Sequence, residues 1–297
     1  MDIRHLEAVA EIAKRGSFTL AADALHIAQP TLSKTVIQLE EELGVLLFSR
    51  EGKRPKLTEA GEAVLRYGGP ILSQMDALHR ELADLSELRQ GTLRLGLPPM
   101  AGSHFFPAVV GEYKRQYPGV AIRLSESGAN RLDGDLRAGL LDVGVLLTPT
   151  DDRFYDSFTV IDDRMQVVLP AGHRLADRPS LALAELADEP FVLFRADFAL
   201  HGRIMDACRT AGYKPNIVAE SSQWDFIGQM VGEGLGIALL PATICAQLRP
   251  ERVRAVELAP PGLPWRLVMA WRREGYLPLA AKAWIALARE LFARSTA

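Results

Sequence analysis

Cysteine is scarce in this sequence, with Cys208 and Cys245 alone among 297 residues. The two lie far apart and have no partners at metal-ligand spacing, so they support neither a disulfide framework nor a zinc finger. We therefore expect two buried thiols in a cytosolic protein, and we expect no bound metal and no cofactor.

Long apolar segments and an excess of one charge are missing as well. The first twenty residues include six charged side chains, and no apolar run approaches the ~18 residues that a membrane span needs. We therefore expect neither a signal peptide nor a membrane partner, and we expect a cytoplasmic protein. Lysine and arginine number 34 against 37 aspartates and glutamates, a net charge of −3, so any nucleic-acid binding must come from a local patch.

Motifs of the common enzyme classes are absent too. The sequence contains no Walker A loop, no His-Glu-x-x-His and no Gly-x-Ser-x-Gly, and its six histidines are scattered. The spacing of Gly232, Gly234 and Gly236 suggests a dinucleotide-binding loop, but these glycines follow a helical pattern and precede a strand pattern. That order is wrong for holding a pyrophosphate. We assign no catalytic residue and expect no enzyme.

Three amphipathic helical patterns fill residues 1–44. The second is capped by Ser17 or Thr19 and contains alanines that allow close packing on the third, as a helix-turn-helix requires. The third runs over residues 31–43 and ends at Gly44.

The third helical pattern has one apolar face and one polar face. Its apolar face consists of Leu32, Val36, Leu39 and Leu43. Its polar face presents amides, hydroxyls and one cation: Gln29, Thr31, Ser33, Lys34, Thr35 and Gln38. Amides and hydroxyls read base edges and a cation meets phosphate, so this face is typical of a recognition helix in a major groove. A solvated surface helix is the alternative.

A basic turn follows at residues 50–56, with four cations and one acid around Gly52 and Pro55. This pattern predicts a wing whose charge contacts the flanking phosphates, the alternative being an ordinary basic loop.

Four stretches of this region together resemble the N-terminal domain of LysR-type transcriptional regulators. They are Ser17-Phe-Thr-Leu-Ala-Ala-Asp-Ala-Leu25, Ala28-Gln-Pro-Thr-Leu-Ser-Lys34, Leu39-Glu-Glu-Glu-Leu-Gly44 and Leu47-Phe-Ser-Arg50…Leu57-Thr-Glu-Ala-Gly61. The resemblance implies a winged helix-turn-helix, for which we expect residues 1–58 as the DNA-binding domain. The side chains that we assign to DNA contact are Ser17, Thr19, Gln29, Pro30, Thr31, Ser33, Lys34, Gln38, Arg50, Lys53 and Arg54.

Residues 59–89 form a long helical pattern with a narrow apolar seam. We assign dimerisation to its members Ile71, Met75, Leu78, Leu82 and Leu85. One helix cannot bury its own seam, so we predict pairing with a second chain, with an intramolecular helix as the alternative. The LysR resemblance implies the same dimer and, beyond it, a tetramer. The Gly68-Gly69-Pro70 sequence should kink or loosen this helix.

From residue 90 onward, strand and helix patterns alternate. Strand patterns cover residues 92–97, 121–124, 142–147, 165–169, 191–193, 217–220, 236–239, 253–256 and 265–271. This alternation favours parallel α/β sheets. Residues 148–164 look acidic and irregular, with Asp162 and Asp163 as solvated loop charges near a hinge. The pattern resembles the LysR effector domain, which is similar to a two-lobed periplasmic binding protein and implies lobe I at 91–160 and 266–297 and lobe II at 161–265.

The cleft between the lobes is the expected ligand site, because loops after parallel strands meet there. The residues that we assign to effector binding are Pro99, Ser103, Ser127, Gly128, Thr148, Arg195, Phe198, His201, Ser222, Gln223 and Trp224. Arg195 and His201, together with converging helix N-termini, favour a small carboxylate.

The sequence thus predicts an all-α winged helix-turn-helix, a linker helix and an α/β effector-binding domain over residues 90–297. Such a protein would be a sequence-specific DNA-binding transcriptional regulator controlled by a small metabolite. Its expected partners are double-stranded DNA, the effector and further copies of itself, and contact with RNA polymerase is left open. The alternatives are a cytoplasmic small-molecule-binding protein or an enzyme of the same two-lobed fold.

Overall fold

A computed structural model describes residues 1–49, 54–85 and 91–295, with the backbone alone at 80, 83–85 and 295. The chain divides into two compact units between Glu87 and Leu88. None of the helices in the described ranges is long and apolar enough to cross a membrane.

The first unit begins with three short helices, α1 (Ile3–Arg15), α2 (Phe18–Ala24) and α3 (Gln29–Leu43). The Ser17 side chain caps α2 by accepting a hydrogen bond from the Leu20 N–H. Gly44 ends α3 with a left-handed φ of 69°, a conformation that favours glycine.

The core of this unit contains small and branched residues from all three helices. Ala21 and Ala22 are buried, so α2 lies close to α3, whose Leu32, Val36 and Leu39 are buried as well. Leu43 is an exception to the sequence interpretation, because it is exposed. It stands in the last turn of α3, at the margin of the helical core.

A single long helix, α4 (Glu59–Leu85), follows a short antiparallel pair, β1 (Phe48–Ser49) and β2 (Lys56–Leu57). The helix continues through Gly68-Gly69-Pro70, with Pro70 inside it. Gly68 faces α1, where an added Cβ would lie 2.9 Å from Leu6 Cδ2. The glycine therefore serves close packing of two helices.

The second unit starts with three parallel strands, β3 (Gly91–Leu97), β4 (Val120–Glu126) and β5 (Val143–Leu147). Between and after them lie α5 (Pro99–Phe105), α6 (Pro107–Gln116) and α7 (Ala129–Arg137). This part agrees with the expected parallel α/β arrangement.

The next strand, β6 (Tyr155–Pro170), corrects the sequence interpretation of residues 148–164. Most of that stretch is a continuous strand, and Asp162 lies within it. Asp162 is exposed and pairs with Arg266 at 2.7 Å. The Asp163 carboxylate accepts bonds from the Thr243 N–H and hydroxyl at 2.9 and 2.7 Å. The sequence pattern of this strand resembles that of a loop, because the partner of Asp162 is about 100 residues away in sequence.

The two ends of β6 belong to different parts of the sheet. Its first half pairs antiparallel with β12 (Pro264–Arg272). Its second half lies between β10 (Ala238–Pro241) and β11 (Val253–Leu258), again antiparallel. The sheet is therefore mixed, and the expectation of purely parallel sheets is wrong. Strand order along the main path is β4-β3-β5-β12-β6-β11-β7, where β7 is Ser180–Leu181.

Two further strands and several helices complete the second unit. Strands β8 (Pro190–Phe194) and β9 (Asn216–Ser221) run parallel to each other. The helices of this region and of the C-terminus are α8 (Ala199–Thr210), α9 (Trp224–Gly232), α10 (Ala242–Cys245) and α11 (Leu279–Ser295). The observed α/β architecture with an N-terminal helix-turn-helix confirms the predicted fold class.

Gly61→Ala tests the contact between α4 and the turn before β1. A Cβ at Gly61 would press on the Leu47 carbonyl oxygen and lie 2.8 Å from Leu57 Cδ2. Because such overpacking is not relieved by one rotamer change, we expect the free energy of unfolding to fall by about 1–3 kcal/mol. Denaturant unfolding followed by circular dichroism measures it.

Gly69→Ala is the matched control on the same helix, since a Cβ there meets nothing within 4 Å. We expect this variant to be neutral or stabilised by roughly 0.5–1 kcal/mol, because alanine favours a helix over glycine. Equal destabilisation of both variants would show that the Leu47 contact is not what requires glycine.

Candidate DNA-binding and effector sites

The exposed face of α3 carries most of the side chains assigned to DNA. Gln29, Pro30, Thr31, Lys34 and Gln38 are exposed, and Ser33 is partly exposed. The Gln29 amide donates to the Ser33 hydroxyl at 2.8 Å, so these two polar groups are held side by side on one face of the helix.

Other residues assigned to DNA are less uniform in their placement. Thr19 and Arg54 are exposed, whereas the Ser17 hydroxyl is used to cap α2. Arg50 and Lys53 lie outside the described residues, and the tip of the predicted wing lies there with them.

Glu40 has a structural role that sequence reasoning missed. Its carboxylate accepts the backbone N–H groups of Leu47 at 2.7 Å and Phe48 at 3.2 Å. The first acid after the polar face of α3 thus holds the turn that leads to β1. No sequence pattern marks it, because the partners are backbone groups seven and eight residues later.

The part of α4 after Gly69 carries an exposed apolar stripe. Ile71, Leu78 and Leu82 are 45%, 48% and 55% exposed, and Met75 is partly buried. The Leu85 side chain lies outside the described part of the chain. Sequence reasoning missed Tyr67, which is 71% exposed and lies one helical turn before Ile71. Tyr67 extends the stripe toward the start of the helix.

The residues assigned to the effector stand in loops and helices that follow strands of the main sheet and of the separate β8–β9 sheet. Pro99 and Ser103 follow β3, Ser127 and Gly128 follow β4, and Thr148 follows β5. The other group comes after β8 and β9: Arg195, Phe198, His201, Ser222, Gln223 and Trp224.

One of these residues touches the opposite group directly. Gly128 is buried, and an added Cβ would lie 2.5 Å from the carbonyl oxygen of Asp197 and 3.3 Å from Phe198 Cα. A second contact that sequence reasoning missed joins His104 of α5 to Gln247 after α10, with 3.3 Å between the two Nε2 atoms. Nothing in the sequence pairs two residues so far apart.

The two basic side chains expected to face an anion, Arg195 and His201, both have carboxylate partners. The Arg195 guanidinium donates to Asp197 at 2.9 and 3.1 Å. His201 Nε2 lies 3.2 Å from Glu220 Oε1. A carboxylate ligand would have to compete with these groups, so the argument for a small carboxylate loses its main support.

The aromatic residues assigned to the cleft pack on protein. Phe198 stacks on buried Phe194, with ring centroids 5.8 Å apart. Trp224 packs partly on the core and lines a cavity of about 460 Å³ between α9 and the segment around Leu248 and Arg252.

Both cysteines are buried thiols, as their scarcity suggested. Cys208 Sγ donates to the Tyr213 hydroxyl at 3.3 Å, and burial raises the pKa of the Cys208 thiol. Burial and the nearby Asp163 carboxylate raise the pKa of the Cys245 thiol to about 12. Both thiols are therefore protonated and unreactive at neutral pH.

Comparison with known proteins identifies both units. Residues 3–62 match the model of the bacterial regulatory helix-turn-helix protein, lysR family, and residues 86–293 match the LysR substrate binding domain. The chain belongs to the LysR family of transcriptional regulators. The resemblance seen in the sequence is thus confirmed, and so is the combination of a DNA-binding helix-turn-helix with an effector-binding domain.

Three proteins illustrate what this LysR-family regulator is similar to. The uncharacterized HTH-type transcriptional regulator YwbI of Bacillus subtilis is 45% identical, covering 96% of this chain and 95% of its own. A hydrogen peroxide-inducible genes activator of Pectobacterium carotovorum is 29% identical over 82% of this chain and 80% of its own. A solved full-length OxyR variant of Pseudomonas aeruginosa has a TM-score of 0.72 and 27% identity, covering 97% and 95% of the two chains.

Leu78→Asp tests whether the stripe on α4 is an interface of this regulator. A carboxylate buried in an apolar seam costs several kcal/mol unless it is paired, so we expect smaller assemblies than the parent chain forms. Sedimentation velocity measures the size. His79→Asp adds the same group at the next, exposed position outside the stripe and should leave the assembly unchanged. An unaltered size in the Leu78→Asp protein would contradict an interface here.

Proposed function

We propose that this LysR-family regulator reads DNA with the exposed face of α3. The observation that carries the proposal is the separation of its two faces: Leu32, Val36 and Leu39 are buried, while amides, hydroxyls and Lys34 point outward. Amide and hydroxyl groups at the start of a recognition helix suit base edges, and lysine suits phosphate. Arg54, with Arg50 and Lys53, would contact the flanking backbone.

We propose that two chains pair through the exposed stripe of α4, so that two such helices reach successive major grooves. The support is the exposure of Ile71, Leu78 and Leu82, which leaves an apolar stripe on the helix without cover. The effector unit also exposes apolar residues, among them Leu124 and Val218 on β4 and β9, each on a strand at the end of its sheet. These exposed apolar residues suit further self-association, up to a tetramer.

Contact with RNA polymerase is part of the same proposal, since a regulator bound at a promoter acts there.

We propose that the effector binds between lobe I, residues 91–160 and 266–297, and lobe II, residues 161–265. Because Arg195 and His201 are paired with carboxylates, the groups offered to a ligand are hydroxyls and an amide, from Ser127, Thr148 and Gln223. Such groups suit an uncharged polar molecule better than a carboxylate. Binding that favours one angle between the lobes would change DNA binding by the difference in affinity for the two arrangements, typically ~1–3 kcal/mol.

We also propose that the protein acts in the cytoplasm, where chromosomal DNA is accessible, and that it releases its effector unchanged. The second point follows from its relatives, which carry the names of regulators.

Selection of fragmented source-genome DNA by the purified chain at physiological salt tests the proposal. We expect a few dyad sites to be enriched. Lys34→Ala should bind those sites more weakly and lower the slope of log affinity against log salt by about 1, because one phosphate contact is lost. Lys14→Ala, an exposed lysine on α1, is the matched control and should keep the parent slope.

Uniform recovery of DNA fragments, with no preferred sites, would contradict sequence-specific reading by the helix-turn-helix. An unchanged slope for Lys34→Ala would show that this face of α3 does not meet the DNA.

The names of two relatives raise peroxide sensing as an alternative function. These relatives, at 28–29% identity, are named hydrogen peroxide-inducible genes activators. We propose that this chain does not sense peroxide through cysteine. Peroxide attacks thiolates, whereas Cys208 and Cys245 are buried with raised pKa values.

Treatment of the folded protein with hydrogen peroxide should therefore leave both thiols unmodified. Alkylation after unfolding, followed by the intact mass, should detect two free cysteines before and after treatment. Selection of DNA sites should also be unaffected by peroxide. A sulfenic acid or disulfide at either position, formed while the protein is folded, would restore peroxide sensing as a function.

A further inference from the structure

Gly128 lies at the start of α7, and its glycine character is not required by its backbone. Its φ of −60° and ψ of 149° are extended values that any residue adopts. The residue is nevertheless buried. The reason for glycine must therefore be the space around it and not its conformational freedom.

That space is occupied by main chain from the loop between β8 and α8. A Cβ at Gly128 would lie 2.5 Å from the Asp197 carbonyl oxygen, 3.2 Å from its carbonyl carbon and 3.3 Å from Phe198 Cα. The first distance is about 0.9 Å shorter than an ordinary contact of 3.4 Å. All three atoms are backbone, so no side-chain rotation of the neighbours makes room.

The two segments come from different halves of the effector unit. Gly128 follows β4, at one end of the main sheet path, and Asp197 follows β8, which pairs with β9. His104 and Gln247 form a second contact between the two halves. The loops after β4 and β8 thus meet directly across the proposed effector cleft.

We propose that Gly128 is the closure contact of the two lobes, the place where their main chains meet when the cleft is shut. A side chain at this position holds the lobes apart and shifts the balance toward the open arrangement. The inference rests on the proposed cleft between lobes I and II, and it assigns control of that cleft to one residue. The energy that any effector spends on closing the lobes depends on the size of residue 128.

The test is a distance between spin labels on the two lobes of the full-length chain. Labels are attached at Ala108→Cys on α6 and Lys214→Cys after α8, both exposed positions. The native cysteines are buried and do not react while the chain is folded. An excess of unlabelled chain removes distances between subunits. The parent is compared with Gly128→Ala and Gly128→Leu, and with Gly134→Ala and Gly134→Leu as controls, since Gly134 has nothing within 4 Å of a Cβ.

We expect the mean distance to lengthen from glycine to alanine to leucine at position 128 and to stay unchanged in both Gly134 variants. Unchanged distances in both Gly128 variants would overturn the proposal, because the loop would then have absorbed the side chain locally. Loss of helical circular dichroism in Gly128→Ala would overturn it too, since lobes that are free to separate relieve the clash without unfolding.

The distance needs neither DNA nor effector, so it separates this inference from the proposed function. Longer distances together with failure to select DNA sites in the parent chain would leave the closure contact standing and remove the regulatory function. Unchanged distances together with normal selection of DNA sites would remove the closure contact and leave the regulatory function standing.

Discussion

The effector unit depends on the hydrogen bonding of β6 along its whole length. Its first half pairs with β12 and its second half with β10 and β11, so one strand is shared by both halves of the sheet. A paired strand resists stretching but allows a change of twist between its ends. The halves are therefore tied together at the strand while their loops at Gly128 and Asp197 remain separate segments in contact.

The proposed effector site lies beside the contact between the loops after β4 and β8. In these loops the backbones of Gly128 and Asp197 lie so close that a Cβ on Gly128 would clash. Nearby, Arg195 and His201 have carboxylate partners in the same half of the unit. Arg195 donates to Asp197 and His201 lies beside Glu220, so both basic side chains that the sequence assigned to an anion already have a carboxylate neighbour. The proposed effector would then be recognised through hydroxyl and amide groups and by shape.

The DNA-binding unit uses each helix on more than one side. Helix α3 buries Leu32, Val36 and Leu39 and exposes its polar groups, and α4 packs on α1 through Gly68 while its apolar stripe stays exposed. The Glu40 carboxylate accepts the Leu47 N–H, and the Thr58 hydroxyl donates to the Leu46 carbonyl oxygen, so two side chains hold the turn at residues 46–47. These bonds fix the segment that leads out of α3, the helix proposed to read DNA, and the start of α4, the helix proposed to pair two chains.

Local periodicity was enough to predict the helices of residues 1–85 and most of the strands after residue 90, because a repeat of 3.6 or 2 residues reflects burial directly. The family and its function also followed from the order of residues in the first sixty positions. What the sequence could not supply was pairing between distant segments. Asp162 of β6 pairs with Arg266 of β12, Arg195 and His201 lie beside carboxylates, and Gly128 meets the backbone of Asp197. Such contacts depend on how elements are placed in space, and only the tertiary structure decides them.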